Sequence, residues 1–326
     1  MAGDEQLTEE TVMAKPKVCV LGAFVADLTC RTDRMPKWGE TILGIAFKLG
    51  PGGKGSNQAV AAARLNSDVR LITKLGRDPF GEMARSFYLN EGISLDRVYE
   101  DPEESSGTAT ILVDDRTREN AIVVVQGACG RLTISEVEAA RQEIATSDVF
   151  LTQLELPIPP TIRGIEIAHE AGVPVILNPA PACPLPIEVL RKVSYLTPNE
   201  SEGLALIGGK SLDEFEDIEK LADRLMALGV PNVVLTLGEK GAFVKSQSIR
   251  LHIPVFQCGK IVETTGAGDA FAGGLAVALA EKKPLEAAAL YGCAVAGLSV
   301  TRQGTAPSMP RRDEVDKMVV GMSGGA

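Results

Sequence analysis

Glu263-Thr264-Thr265-Gly266-Ala267-Gly268-Asp269-Ala270-Phe271-Ala272-Gly273-Gly274 passes from a glycine-rich turn straight into an apolar helix, and the other segments take their places around it. Gly266 and Gly268 let the backbone come close to a ligand, while the first amides of the helix have no partner inside it. The helix N-terminus carries a partial positive charge, so the turn predicts an anion site suited to phosphate, with Asp269 in the first turn. An acidic residue there has two readings. It caps the helix, or it accepts a proton from a hydroxyl that attacks a phosphoryl group.

Composition narrows the ligand. The 326 residues hold 33 Lys plus Arg against 43 Asp plus Glu, a formal net charge of -10, and no basic run offers a nucleic-acid or anionic-membrane surface. A phosphorylated small molecule must therefore be met locally, by backbone amides, a few cations and a metal. The six cysteines (Cys19, Cys30, Cys129, Cys183, Cys258 and Cys293) form no C-x-x-C pair, and His169 and His252 are too few for a histidine-rich metal cluster. The opening residues are acidic and polar, unlike a signal peptide. The apolar stretches near 270–280 and 285–300 are interrupted by glycine, unlike a membrane span. A soluble, cytoplasmic enzyme with no nucleic-acid or membrane partner is expected.

Residues 17–22 (KVCVLG) read as a buried strand of a parallel sheet, with Asp27 following at its C-terminal end, where ligands of open α/β sheets collect. Short strands are expected between Thr29 and Leu49. Gly50-Pro51-Gly52-Gly53-Lys54-Gly55-Ser56-Asn57-Gln58 then leads into a helix over 59–65. Its spacing is not that of a P-loop, because Lys48 stands where the first glycine belongs and Gly55 follows Lys54. Its glycines still allow a polar ligand to approach, with donors from Lys54, Asn57 and Gln58. The runs at 108–113 and 121–125 read as a hairpin, and with the strands near 29–49 they predict a small antiparallel flap that excludes water.

After a helix over 135–145 the pattern alternates strictly. Strands are predicted at 149–154, 173–177, 194–197 and 233–237, with helices at 161–171, 200–207 and 213–228 between them, which demands a parallel sheet covered on both faces. Glu155, Asn178, Asn199, Glu202, Thr236 and Gly238 all fall at strand C-terminal ends. The fold class is α/β: a doubly wound, mostly parallel sheet with a small β lid. Residues 1–15 are expected as a disordered tail, 16–320 as the main domain with a discontinuous lid at about 28–50 and 96–127, and 321–326 as a flexible tail.

These motifs, in this order from about Val18 to Val319, resemble the ribokinase-like (PfkB-type) carbohydrate kinases. Gly52-Gly53-Lys54-Gly55-x-Asn57-Gln58 is similar to the family's first signature and Glu263-Thr264-Thr265-Gly266-Ala267-Gly268-Asp269 to its second. The resemblance implies a sugar held by Asp27, Gly53, Lys54, Asn57 and Glu155, and Asp269 as general base beside an anion hole from Gly266, Ala267 and Gly268. It implies ATP contacts from Asn199, Thr236, Gly238, Gly241, Gly268 and Cys293, Glu202 acting on Mg²⁺, and K⁺ held by Glu263, Thr265, Ser299, Arg302, Gly304 and Ser308.

Three positions depart from the family. Glu263 replaces an aspartate, Val25 stands where an asparagine is common, and Ala128-Cys129-Gly130 replaces an Ala-Asn pattern. The resulting expectation is ATP-dependent phosphorylation of a primary hydroxyl, O5 of ribose first, with 2-deoxyribose, another pentose or ketohexose, or a nucleoside as alternatives. A non-catalytic sugar or nucleotide sensor on the same fold is the reading from another class. A dehydrogenase is excluded by the lack of G-x-G-x-x-G after the first strand. Exposed lid edges suggest a homodimer.

Overall fold

The computed structural model describes residues 14–117, 119–209 and 218–323, and for 321–323 the backbone alone. Its strands are β1 (Lys17–Leu21), β2 (Val25–Thr32), β3 (Ala46–Gly52), β4 (Asp68–Gly76), β5 (Val98–Asp101), β6 (Thr108–Asp114), β7 (Asn120–Val125), β8 (Val149–Thr152), β9 (Val175–Leu177), β10 (Tyr195–Leu196), β11 (Asn232–Thr236), β12 (Ala242–Lys245) and β13 (Arg250–Ile253). The helices are α1 (Lys54–Arg64), α2 (Pro79–Asn90), α3 (Ile134–Ala139), α4 (Arg141–Ala145), α5 (Ile158–Glu170), α6 (Ile187–Leu190), α7 (Glu200–Leu206), α8 (Ile218–Ala227), α9 (Ala267–Ala280), α10 (Leu285–Ser299) and α11 (Arg312–Ser323).

Nine strands form one sheet in the order β13-β12-β11-β10-β9-β8-β1-β4-β5. It is parallel from β11 to β5, and only β12 and β13 turn antiparallel at one edge. The runs Val18–Leu21 and Val149–Thr152 are buried throughout, as strands covered on both faces require. α9 is apolar all round and buried from Asp269 to Ala280, which makes it an interior helix rather than an amphipathic one. It packs closely on its neighbours because it is built of small residues. A β-carbon on Gly273 would lie 2.6 Å from the Ala61 Cβ of α1, and one on Gly274 would lie 2.7 Å from Val295 Cγ2 of α10.

A second sheet, β3-β2-β6-β7, forms the lid. β6 and β7 make the expected antiparallel hairpin, but β2 pairs with β6 in parallel, so the lid is mixed rather than antiparallel. Val25 and Asp27 belong to β2 of this lid and not to the end of β1, because Gly22 to Phe24 turn the chain out of the main sheet. β5, inside the 96–127 stretch expected in the lid, is instead the edge strand beside β4.

The helices depart most from their predicted bounds in three places. α1 begins at Lys54 rather than near 59, so Asn57 and Gln58 are its fourth and fifth residues. The helix predicted over 135–145 is broken at Ala140 into α3 and α4. Of the helix predicted over 213–228, residues 218–227 form α8 and 213–217 lie outside the described residues. The tail expected over 1–15 falls outside them as far as residue 13. Of the tail expected over 321–326, residues 321–323 complete α11 and 324–326 lie outside the described residues.

Candidate active site

Two helix starts face each other across the C-terminal edge of the sheet. Gly53 precedes α1 at φ 89, and a β-carbon there would lie 2.6 Å from the Ala23 carbonyl and 2.8 Å from the Val25 amide. That left-handed turn aims the first amide of α1 at Glu155, with Lys54 N donating to Oε2 at 2.8 Å. The start of α1 then presents Asn57 and Gln58 to Asp269. Asn57 Nδ2 donates to Asp269 Oδ2 and Gln58 Nε2 to Oδ1, each at 2.9 Å. Asp269 is 5% exposed, so its carboxylate is held by two amide donors at the wall of the site.

α9 begins after Gly266, whose φ of 84 sets the left-handed turn read from the sequence. The amide of Ala267 closes that turn on the Thr264 carbonyl at 3.1 Å. A β-carbon on Gly268 would meet nothing within 4 Å, so the helix start opens onto free space at Gly268. Gly268 therefore offers the amide that an anion would meet, with Ala267 partly engaged.

Asp269, Gly266 and Gly268 line a cleft with Lys54, Asn178, Thr197, Asn199, Glu202 and Thr236. The expected sugar residues lie beside it. Asp27 Oδ2 accepts from Thr305 Oγ1 at 3.1 Å, and a β-carbon on Gly52 would touch its carboxylate. Asn57 Oδ1 is buried and accepts from no described group. Of the expected nucleotide residues, Asn199 and Thr236 line the cleft, and Gly238 and Gly241 form the turn after β11. Cys293 is buried in α10 and is not among the residues lining the cleft.

Asn199 and Glu202 build a capping box at the start of α7, with Asn199 N donating to Glu202 Oε2 at 2.9 Å and Glu202 N to Asn199 Oδ1 at 2.8 Å. One oxygen of Glu202 and the amide nitrogen of Asn199 stay available to the cleft. The expected K⁺ residues converge on the loop after α10. Glu263 Oε2 accepts from Gly304 N at 2.8 Å, Ser299 Oγ donates to Ala296 O and Ser308 Oγ to Thr305 O, both at 2.8 Å. The Arg302 side chain points elsewhere, in an ion pair with Glu314. Thr265 takes its place in the turn between Thr264 and Gly266.

The electrostatics are those of a crowded acidic pocket. Burial pushes the Glu155 carboxyl up to about 7, against the opposing charge of Lys54. Burial likewise pushes Asp27 up to about 6, with the Thr305 hydrogen bond opposing and the Asp269 and Glu263 charges adding. Glu202 is raised by burial, and Lys54 is held above its ordinary value chiefly by Asp269. Sequence reasoning missed Thr305, which stands 278 positions from Asp27 and shares no local spacing with it.

A raised carboxyl favours its neutral form in the folded chain. The stability it contributes is complete below the ordinary carboxylate range and is lost as pH climbs through the folded value, here about 7 for Glu155. Glu155→Gln removes that loss. Without ligands, its melting temperature relative to wild type should be higher at about pH 8 than at about pH 5. A difference that does not change with pH would contradict the burial assigned to Glu155.

The chain's similarities agree with this geometry. A family model described as pfkB family carbohydrate kinase matches residues 15–312. The ribokinase of Haemophilus influenzae is 39% identical over 295 residues, covering 90% of this chain and 95% of that protein. The deoxyribokinase of Salmonella typhimurium is 36% identical over 301 residues, covering 92% of this chain and 97% of that protein. The solved structure of Arabidopsis thaliana ribokinase complexed with ribose and ATP superposes with a TM-score of 0.84 at 32% identity, covering 94% of this chain and 99% of that one.

Proposed function

The chain belongs to the pfkB family of carbohydrate kinases, and from that membership we propose that it transfers the γ-phosphoryl group of ATP to the primary O5 hydroxyl of D-ribose. The observation that carries this reading is Asp269, a buried carboxylate oriented by two amides beside an open helix N-terminus. Such a pair can take a proton from an attacking hydroxyl and stabilise the charge that develops on the transferred group.

In this reading Asp27, Gly53, Lys54, Asn57 and Glu155 hold the sugar. The carboxylates accept from its hydroxyls, Lys54 donates, and a hydroxyl proton supplies the buried Asn57 Oδ1 with the donor it lacks within the described residues. Asp269 accepts the proton of O5. The Gly268 amide, with Gly266 and Ala267 shaping the turn, meets the phosphoryl oxygens. Asn199, Thr236, Gly238, Gly241 and Cys293 belong to the nucleotide side, where the first two face the cleft directly. The β lid keeps water from the reacting centre.

The donor set suits the ions this reaction uses. The free oxygen of Glu202 fits Mg²⁺, which keeps much of its water and binds through few carboxylates. Bound there, Mg²⁺ would neutralise phosphate charge. Glu263, with one oxygen on the Gly304 amide and one left over, would hold K⁺ together with Ser308 and the carbonyls of Thr265, Ser299, Arg302 and Gly304. Turnover of D-ribose should be faster in K⁺ than in Na⁺ buffer, because cation selectivity follows cavity size and ligand number. Equal rates would remove K⁺ from the account. The exposed Phe47, Val123 and Val125 of the lid offer an apolar face to a second copy of the chain, and a monomeric mass in sedimentation velocity would argue against that homodimer.

A second reading, 2-deoxyribose, is favoured by Val25 and by the deoxyribokinase relative. Val25 is 6% exposed and lies two residues before Asp27 in β2, so both side chains leave the same face of the strand. Valine cannot pair with a hydroxyl, whereas a polar group there would. A site that hydrogen-bonds a hydroxyl rejects the analogue lacking it by up to about 10⁴–10⁵, and an apolar wall separates them far less. The ratio of kcat/KM for D-ribose over 2-deoxyribose should therefore be smaller in wild type than in Val25→Asn. An unchanged ratio with lost stability would make Val25 a packing residue only.

A further inference from the structure

Gln58 follows Asn57 in α1, and in the reading above it touches neither sugar nor nucleotide but only the Asp269 carboxylate. We propose that Gln58 is a positioning residue that fixes the Asp269 carboxylate for proton transfer and ties that carboxylate to the nucleotide side of the cleft. This rests on the kinase reading above.

The residues concerned are interior: Gln58 is 0% exposed, Gln153 1% and Asn178 8%. Gln153 Nε2 donates to Gln58 Oε1, which commits the other end of the Gln58 amide to donation. Gln58 Nε2 then donates to Asp269 Oδ1 at 2.9 Å and to Asn178 Oδ1 at 3.1 Å. Asn178 Nδ2 in turn donates to the Thr197 carbonyl at 2.9 Å. A flipped Gln58 amide would set its carbonyl against two acceptors, so the direction of the relay is fixed at every step.

The relay crosses the ends of three neighbouring strands, from Gln153 after β8 through Asn178 after β9 to Thr197 after β10. Two residues further on, Asn199 opens α7 on the nucleotide side. The carboxylate thus sits between the sugar-side Asn57 and a rigid line of amides leading to the nucleotide residues.

The charges around Asp269 explain why neutral amides suit this task. Lys54 of α1, Asp27 of β2, Glu155 after β8 and Glu202 of α7 all face it, three acids against one cation. A free carboxylate would swing toward Lys54 and away from those acids. A cationic partner in place of Gln58 would hold it more firmly but make it a weaker base, whereas an amide orients it at smaller cost to basicity. Small errors in such orientation are expensive, since a misplacement of about 1 Å can cost about 10²-fold in rate.

The test is a mutant cycle on the full chain, assayed with D-ribose, ATP, Mg²⁺ and K⁺: wild type, Gln58→Met, Asp269→Asn and the double variant. Gln58→Met should lower kcat by about 10- to 100-fold with KM for both substrates within about threefold, because the lost contact acts on orientation and not on binding. The double variant should be no slower than Asp269→Asn, since Gln58 acts through Asp269. Additive losses, or a Gln58→Met kcat near that of wild type, would overturn the proposal while leaving the kinase reading intact. Near wild-type turnover by Asp269→Asn would overturn both. If Gln58→Met does not fold, Gln58→Glu keeps the shape and sets a second carboxylate against Asp269. Its kcat should fall by about 10-fold or more with KM for both substrates held, and a wild-type kcat would overturn the proposal.

Discussion

Asp269→Asn is expected to lower kcat by about 10²–10⁴-fold while the protein still folds and binds D-ribose and ATP, because the change removes the proton acceptor and keeps its shape. The contacts of Asp269 show how the fold can tolerate the asparagine. Both carboxylate oxygens accept amide N–H groups, so one side of the new amide must face a donor with a donor. Gln58 cannot turn over, since Asn178, itself held by the Thr197 carbonyl, presents only an acceptor to it. Asn57 can, because its Oδ1 is otherwise unpartnered, and after a flip it accepts from the new Nδ2. The stability cost should then stay below the ~1–3 kcal/mol of an unsatisfied buried group. Steady-state kinetics with calorimetric binding of both substrates checks this. A kcat near that of wild type would show that Asp269 serves only to hold α1 against α9.

Gly55→Ala should be nearly as damaging for a different reason. A β-carbon on Gly55 would lie 2.4 Å from both the Cα and the carbonyl carbon of Gly22, and neither backbone has a flexible end that could yield. α1 would have to move away from the end of β1, at a cost of about 1–3 kcal/mol or more. Asn57 and Gln58 move with it, so the Asp269 carboxylate loses its alignment and kcat should fall by about 10²-fold or more. Thermal melting and kinetics on the same preparation test the link. A destabilised variant with wild-type kcat would separate the helix from the catalytic geometry.

These two positions also mark what the sequence could reveal. The Gly-Ala-Gly-Asp turn and the regular alternation of strands and helices after residue 149 are local patterns, so the parallel sheet and the glycine turn that opens α9 were legible. The start of α1 was not, because Lys54-Gly55-Ser56-Asn57 has poor helix propensity and is held by groups distant in sequence, namely Glu155 at its first amide and Gly22 against Gly55. Nor was the hinge out of β1, since Val20 to Ala26 reads as almost one apolar run and gives no sign that the chain changes sheet within it. The lid hairpin was visible from its turn, whereas the parallel pairing of β2 with β6 joins segments far apart in the chain.

Among the candidate site residues, Lys54, Asn57, Glu155, Asn199 and Glu202 were legible as polar residues at strand ends or glycine-rich turns, whereas Asp27, expected at the end of the first strand, lies within β2. The links that organise them were not. Gln58 meets Asn178 across 120 positions and Gln153 across 95, and no spacing rule pairs such residues.

The central claim is that this chain phosphorylates the primary hydroxyl of a pentose. It is tested most directly by coupled ADP release over a panel of pentoses, deoxypentoses, hexoses and nucleosides, with the product of the best substrate identified by ³¹P and ¹³C NMR. The account predicts ADP release with D-ribose that needs ATP and Mg²⁺, and a product carrying phosphate on the C5 oxygen. Release of ADP with none of the panel, or phosphate on the anomeric oxygen, would contradict it.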